Sequence, residues 1–170
     1  VLLMLALKAA QVRSTLEANA LADHISALRS VPALIAQGID CSSAMQNTAR
    51  KLAEARDILF LGRGVMYPIA HEGALKLKEI SYIHAEGYAS GEMKHGPIAL
   101  IDEEYVSIAI VQRAEPFYSK TLSNINEVKS RQGKVIIITD AEDLSEMRSV
   151  ADDIIQIPYQ SEPLMPIVAT

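Results

Sequence analysis

Apolar positions in the first third of the chain recur at the spacing of an amphipathic helix. Leu21, Ile25 and Leu28 share one stripe, because residues three or four apart lie on the same helix face. Proline is tolerated in the first turn of a helix but disrupts a helix interior. The pattern therefore predicts that one helix ends near Ser30 and that a second begins at Pro32.

A third helix is predicted after Gly38, which is expected to end the second one. Asp40 or Ser42 can serve as its N-cap, and the helical pattern continues to Arg56. Cys41 lies at this predicted helix start and is interpreted as a structural residue. Because it is the single cysteine of the chain, an internal disulfide is excluded and a reducing compartment is favoured.

The rest of the chain contains short apolar runs rich in β-branched residues, a pattern typical of strands buried on both faces. Four such runs lie at residues 57–62, 106–111, 135–139 and 153–157. Helical patterns between these runs lie at residues 67–80 and 115–132. A further strand is predicted near residues 81–86.

Alternation of strands and helices predicts an α/β fold, a three-layer αβα sandwich preceded by N-terminal helices. We expect a five-stranded parallel sheet with the flavodoxin-like order 2-1-3-4-5. Ligands of such sheets bind at the carboxyl ends of the strands, near the point where the strand order reverses. The sequence Gly62-Arg63-Gly64 follows the first predicted strand and lies in that place.

Two interpretations of this glycine-containing loop remain open, a phosphate-binding loop and a tight strand-to-helix turn. The loop lacks the third glycine of a dinucleotide fingerprint and the Gly-Lys-Ser/Thr of a P-loop. Val65 and Met66 supply no hydroxyl. The tight turn is therefore favoured, with Arg63 solvated or paired.

Glu72, Lys76 and Glu79 form one polar stripe along the predicted helix at residues 67–80. Lys78 points away from the stripe's apolar side and is expected in solvent. The neighbouring apolar arc, which is expected to pack on the core, consists of Ile69, Ala70, Gly73, Leu77 and Ile80. The stripe is either an ordinary Glu–Lys helical pair, worth about 0.2–0.5 kcal/mol, or a group that moves protons beside a dry flank.

Glycines and a proline mark residues 86–97 as a loop that carries Glu92, Lys94 and His95. An imidazole exchanges protons near neutral pH, so His95 is a candidate acid or base. A metal site is not expected, since the His and Glu residues around this loop match no recognised ligand spacing. Two further histidines, His24 and His71, lie in helical patterns and are expected at the surface or core edge.

The composition fits one domain, or one lobe of a larger protein, because 170 residues of which 49% are hydrophobic can bury a sizeable core. A net charge of −5 without basic clusters favours neither nucleic acid nor an anionic membrane as partner. A small molecule or a protein is expected instead. The chain starts without methionine inside an apolar helical pattern and ends in an apolar segment, so a fragment is expected.

Long stretches resemble the isomerase domain of the glutamine–fructose-6-phosphate aminotransferase family, the glucosamine-6-phosphate synthases. The matching stretches are Phe60-Leu-Gly-Arg-Gly64, 67–70, 72–86 and 91–102. The resemblance implies the second of two sugar-isomerase (SIS) lobes at residues 56–170, truncated at its C-terminus. Residues 14–55 would be a helical lead-in, and residues 1–13 the end of the last helix of an absent first lobe.

The family's reaction is what the resemblance implies for activity. Fructose-6-phosphate is opened, ammonia from a separate glutaminase domain enters at C2, and a proton moves between C1 and C2. The product, glucosamine-6-phosphate, begins the hexosamine pathway to UDP-N-acetylglucosamine. No cofactor is implied, and a cytoplasmic location is expected.

The resemblance also implies roles for the candidate residues. Glu79 matches the proton-transferring carboxylate, Lys76 a nearby lysine that stabilises oxygen charge, and Glu72 an orienting group for that lysine. His95 matches a histidine that assists ring opening in the neighbouring subunit's site, so a homodimer is expected, with Lys94 in support.

Departures from the family pattern limit these expectations. The sugar phosphate is held in the family mainly by hydroxyls of the first lobe, and a C-terminal tail carries a further lysine, so no substrate-binding residue is assigned here. His71 and Gly87 replace a more usual aliphatic residue and alanine. The chain alone is expected to be inactive. The alternatives are a fructosamine-phosphate deglycase, or a non-catalytic sugar-phosphate sensor attached to a DNA-binding domain.

Overall fold

A computed structural model describes residues 1–40, 42–113, 117–161 and 164–170, with the side chains of residues 42–44 left out. The predictions for Cys41 and for a helix start at Glu115 lie outside the described residues. Seven helices occur in the described residues: α1 Leu2–Arg13, α2 Ala18–Ile39, α3 Ser42–Leu52, α4 Tyr67–Ser81, α5 Phe117–Ser130, α6 Ser145–Arg148 and α7 Met165–Ala169. Short 3-10 helices lie at Gly64–Met66, Ser90–His95 and Pro97–Leu100.

The sheet has five parallel strands in the order β2-β1-β3-β4-β5, which confirms the predicted α/β sandwich and strand order. The strands are β1 Asp57–Gly62, β2 His84–Ala89, β3 Val106–Val111, β4 Lys134–Thr139 and β5 Asp153–Gln156. The strand order reverses between β1 and β3. The loop after Gly62 therefore lies at the place where ligands bind in open α/β sheets.

Both faces of the sheet are covered, as the continuous apolar strands require. One face packs against α4 and the start of α7 through a cluster that includes Ile58, Phe60, Ile108, Ile110, Ala70, Ala74 and Met165. The other face packs against α5 and α6 through a cluster that includes Leu59, Leu61, Ala109, Ile137, Ile125, Val128 and Met147. Each strand contributes alternate residues to the two clusters, so the core lies on both sides of the sheet.

The predicted break before Pro32 is wrong, because α2 runs without interruption from Ala18 to Ile39. Pro32 is exposed, so the carbonyl that it deprives of an N–H partner can be hydrated. The side-chain amide of Gln160 donates to the Ala27 carbonyl at 3.1 Å and to Ser30 Oγ at 2.9 Å. This long-range contact supports the helix one turn before the proline.

The limits of two further elements and the burial of one residue also differ from the sequence prediction. The strand predicted near residues 81–86 lies at His84–Ala89, since Tyr82 adopts a left-handed conformation that ends α4 later than expected. Ile80, predicted to pack on the core, has 78% of its surface exposed. The third helix ends at Leu52 rather than Arg56.

Within the described residues, no helix combines the length and apolarity that crossing a membrane requires.

Candidate functional site

The helix α4 begins immediately beyond the carboxyl end of β1. Gly62 allows this sharp turn, because a Cβ at that position would lie 2.1 Å from the Met66 carbonyl oxygen. The Met66 amide donates to the Arg63 carbonyl at 3.0 Å and closes the 3-10 turn. Pro68 lies in the first turn of α4, where its fixed φ suits a helix start. This geometry favours the tight-turn interpretation of the Gly62-Arg63-Gly64 loop.

The helix then rests on β1 through Gly73. A Cβ on Gly73 would lie 2.7 Å from Cε1 and 3.0 Å from Cδ1 of Phe60, whose ring is buried beneath the helix. The absence of a side chain at Gly73 lets the helix approach the sheet closely at this point. The contact lies one residue after Glu72 and one turn before Lys76, so it sets the height of both side chains above the sheet.

The predicted polar stripe is present on α4. The Lys76 Nζ donates to Glu79 Oε2 at 2.9 Å and lies 3.5 Å from Glu72 Oε1. All three side chains are roughly half exposed. The hydrogen bond from Lys76 to Glu79, then the charge of Glu79, then that of Glu72, raise the pKa of Lys76 above its ordinary value. The ammonium is therefore held between two carboxylates at an open surface.

One flank of the stripe is apolar. Glu72 and Lys76 border a mostly apolar cavity of about 460 Å³, whose other walls come from α2, the sheet and α7. Residues that line it from these elements include Ile35, Phe60, Ile110, Ile138 and Val168. The Lys76 amine and the Glu72 carboxylate thus have solvent on one side and apolar side chains on the other, and Glu79 is held beside them by Lys76. This is the environment in which a carboxylate can accept a carbon-bound proton and an ammonium can stabilise a developing oxyanion.

The second candidate segment is more regular than the predicted loop. Residues Ser90–His95 form a 3-10 helix whose central Met93 is completely buried. Glu92, Lys94 and His95 are exposed. The Lys94 Nζ donates to Glu127 Oε1 on α5 at 2.6 Å, so this lysine faces α5 rather than the stripe. Among the described residues, no hydrogen bond or ion pair joins His95 to the α4 stripe.

The residues of α5 that hold this segment were not among the predicted site residues. Asn124 is buried, and its Nδ2 donates to the Ser90 carbonyl at 2.6 Å. Glu127, which pairs with Lys94, follows one turn later on the same helix. The apolar neighbours of Asn124 on α5 are a signal in the sequence that this amide has a partner, since buried polar groups are normally hydrogen-bonded, but they do not identify the partner.

Arg63 and the histidines complete the local picture. The Arg63 guanidinium lies beside Gly91, where a Cβ would be 3.5 Å from its Nη1. His71 is exposed on α4, and its ring packs edge-on against the Tyr67 ring with 4.6 Å between the ring centroids. His84 lies 2.8 Å from Asp57 across the β1–β2 pair. In the part of the chain that the structure describes, no three His, Cys, Asp or Glu residues converge as metal ligands.

Sequence comparison assigns the fold to a known family, since the SIS domain matches residues 51–170. The chain belongs to the SIS domain family. The match covers α4, all five strands and the segment that carries His95. It also covers the last two residues of α3, but α1 and α2 lie before it.

Curated relatives of this SIS domain are glutamine–fructose-6-phosphate aminotransferases (isomerizing). The protein of Caulobacter vibrioides is 46% identical over 165 residues, which are 97% of this chain and 27% of the relative. The protein of Thermus thermophilus is 50% identical over 142 residues, which are 84% of this chain and 23% of the relative. The chain therefore spans about a quarter of the length of these relatives.

A solved structure agrees with the sequence relatives. The C-terminal domain of glucosamine-fructose-6-phosphate aminotransferase from Francisella tularensis superposes with a TM-score of 0.90 at 36% identity. The superposition covers 98% of this chain and 46% of that domain. The chain thus corresponds to about half of such a domain, the N-terminal helices included, as the resemblance of the motifs predicted.

Proposed function

We propose that this SIS domain is the second lobe of the isomerase domain of an enzyme that makes glucosamine-6-phosphate from fructose-6-phosphate and glutamine-derived ammonia. The observation that carries the proposal is the Lys76–Glu79 pair on α4, at 2.9 Å, whose lysine borders an apolar cavity. By the resemblance of the motif, Glu79 and Lys76 match the family's proton-transferring carboxylate and its lysine. Relatives between 46% and 50% identical carry the aminotransferase name.

Glu79 is the group that moves the proton in this proposal. Once ammonia has replaced the C2 carbonyl oxygen of the open sugar as an imine, the carboxylate removes a proton from C1. The imine nitrogen takes up a proton to give an enolamine, and the same carboxyl then returns its proton to C2 while the C1 hydroxyl loses its proton, so that C1 becomes the aldehyde of glucosamine-6-phosphate. A carboxylate that transfers a carbon-bound proton must lie within hydrogen-bond reach of it, which an edge position on α4 permits.

Lys76 and Glu72 support that transfer. The ammonium of Lys76 lies one turn from Glu79, where it can stabilise the negative charge that develops on the sugar oxygen. Glu72 holds the lysine from the other side at 3.5 Å. The raised pKa of Lys76, caused first by its hydrogen bond to Glu79, shows that the two carboxylates favour the charged ammonium.

His95 serves the neighbouring subunit in this proposal, and the protein works as a homodimer. Its exposure at the end of a 3-10 helix, without a contact to the stripe of its own chain, supports a role across an interface. The glutaminase domain and the phosphate-binding first lobe belong to the complete protein. We assign residues 1–13 to the end of that lobe, residues 14–55 to a helical lead-in, and the enzyme to the cytoplasm.

The proposal predicts that Glu79→Gln, made in the complete protein, abolishes glucosamine-6-phosphate formation and leaves glutamine hydrolysis measurable. General acid–base groups contribute roughly 10²–10⁴-fold to rate, so synthesis should fall by at least that range. Stability should change little, because both partners of the ion pair are about half exposed. The two activities are measured on the same preparation.

The matched control for this experiment is Glu103→Gln, which neutralises an exposed carboxylate away from α4. It should leave both activities at the wild-type level. Normal synthesis by the Glu79→Gln protein would contradict the assignment of proton transfer to Glu79.

A further inference from the structure

The segment that presents His95 is fixed to the body of the SIS domain at three points. At its start, the Ser90 carbonyl accepts a 2.6 Å hydrogen bond from Asn124. At its centre, Met93 is fully buried in the cluster on the α5 face of the sheet. Near its end, Lys94 pairs with Glu127 at 2.6 Å. Only α5 supplies the two polar anchors.

The spacing of the two polar anchors on α5 matches the spacing of the two residues that they hold. Asn124 and Glu127 are three residues apart on one face of α5, and they hold Ser90 and Lys94, four residues apart on the 3-10 helix. The last residue of that helix is His95, which follows directly after the second anchor. The residue next to His95 is therefore held by α5.

The anchors differ in what they contribute. Asn124 is 8% exposed, and its removal would leave a buried carbonyl without its donor. The Lys94–Glu127 pair has 47% and 41% of its side chains exposed, and pairs of that kind contribute little to the stability of a fold. Its geometry nevertheless constrains the residue next to His95.

We propose that Asn124 and Glu127 are positioning residues for His95. They hold the Ser90–His95 helix on α5 so that the imidazole reaches the active site of the neighbouring subunit. This inference rests on the proposed function, in which His95 and Glu79 of one chain serve different active sites. It assigns to α5 a role in ring opening although no residue of α5 needs to touch the sugar.

The test uses variants of the complete protein. Glu127→Gln removes the charge of the exposed anchor, and Asn124→Leu replaces the buried donor by an apolar side chain of similar size. Each should lower kcat for synthesis about tenfold or more, since a misplaced group costs up to roughly 10²-fold per ångström. Glutamine hydrolysis should be unchanged. The exchange of charges in the double variant Lys94→Glu/Glu127→Lys should recover activity relative to Glu127→Lys alone.

Ser90→Ala is the matched control. The Ser90 hydroxyl is buried and has no hydrogen-bond partner among the described residues, whereas its carbonyl carries the Asn124 contact. Removal of the hydroxyl keeps that contact, so the control should retain wild-type synthesis. A loss of activity in Ser90→Ala equal to that in Asn124→Leu would mean that the segment responds to any change, and would overturn the assignment.

Hybrid dimers separate positioning from simple damage. A hybrid of His95→Ala and Glu79→Gln subunits has one complete site, so random mixing should recover about a quarter of wild-type activity. Glu127→Gln and Asn124→Leu subunits should likewise regain wild-type activity in their one complete site when paired with Glu79→Gln, which supplies a correctly held His95. Paired with His95→Ala, they should regain nothing.

Each outcome decides a different statement. If His95→Ala and Glu79→Gln fail to complement after verified subunit exchange, the shared site of the proposed function is wrong and the inference falls with it. If that pair complements but the α5 variants do not regain activity with Glu79→Gln, their defect lies in their own site and the positioning role is wrong. Wild-type activity of both α5 variants would also overturn it.

Discussion

Lys76 is the side chain on which the two carboxylates of α4 converge. It donates to Glu79 at 2.9 Å and lies 3.5 Å from Glu72, and these two groups raise its pKa, Glu79 most. An exposed ion pair contributes little to folding. Substitutions of Lys76 should therefore affect the proposed reaction more than the stability of the domain.

We expect Lys76→Met in the complete protein to lower kcat for synthesis by roughly 10²-fold, the loss typical when one group that stabilises a transition-state charge is removed. The KM for fructose-6-phosphate should change only a few-fold, because the phosphate is bound elsewhere in the proposed site. Steady-state kinetics with saturating glutamine measure both quantities.

Lys78→Met is the control for this lysine, since Lys78 is exposed on the same helix two residues further along. It should behave as wild type. Equal losses in the two methionine variants would show that the effect comes from the surface of α4 in general and not from the ammonium beside Glu79.

The stripe itself could be predicted from the sequence, because helical spacing alone places Glu72, Lys76 and Glu79 on one edge. The anchors Asn124 and Glu127 could not, since they contact a segment about 33 residues away in sequence. A contact between distant segments depends on how the elements pack, and spacing carries no record of it.

The position of α4 depends on how closely it approaches β1. Gly73 faces the Phe60 ring, and any Cβ there would overlap it. Glycine normally weakens a helix by about 0.5–1 kcal/mol relative to alanine. Its presence in α4 is explained by packing, because the close approach fixes where Glu72 and Lys76 stand.

Gly73→Ala should therefore destabilise α4, although alanine has a higher helix propensity than glycine. We expect the added methyl group to displace α4, to raise amide hydrogen exchange in α4 through overpacking worth about 1–3 kcal/mol, and to lower kcat. A second substitution, Phe60→Val, removes the ring atoms that the methyl group meets. It should restore part of the protection from hydrogen exchange and part of kcat. Hydrogen exchange with peptide resolution, in the complete protein, reads out the helix.

Gly38→Ala is the matched glycine substitution in α2, where a Cβ would meet nothing within 4 Å. It should reduce exchange in its own helix, as alanine normally does. If Gly73→Ala likewise protects its helix and keeps wild-type kcat, the close contact with Phe60 does not position α4.

Element boundaries show what apolar patterning can and cannot predict. The buried strands were predicted within about a residue, because continuous β-branched runs are typical of parallel strands. The break at Pro32 was wrong, since a proline on an exposed helix face loses one hydrogen bond without ending the helix. The placement of Ile80 in the core was wrong, since this residue lies in the last turn of α4 with 78% of its surface exposed.

At the scale of the whole molecule, the proposed site residues lie on two separate segments of the SIS domain. The stripe of α4 is half exposed, and His95 is an exposed residue at the end of a segment held by α5. The α/β order and the place of the reversal between β1 and β3 followed from the sequence. The proposed division of one site between two chains cannot follow from periodicity, because it depends on surfaces that meet only in an assembly.

The central claim, that Glu79 moves a proton of the sugar, is tested most directly by solvent exchange. The Glu79 side chain is 53% exposed, so a proton that it takes from C1 can exchange with the solvent before it is returned. The complete protein is incubated in D₂O with fructose-6-phosphate and glutamine, and proton NMR follows the hydrogens at C1 of the substrate and C2 of the product. We predict deuterium at these carbons with the wild-type and Glu103→Gln proteins and none with Glu79→Gln. Incorporation by Glu79→Gln at the wild-type rate would contradict the account.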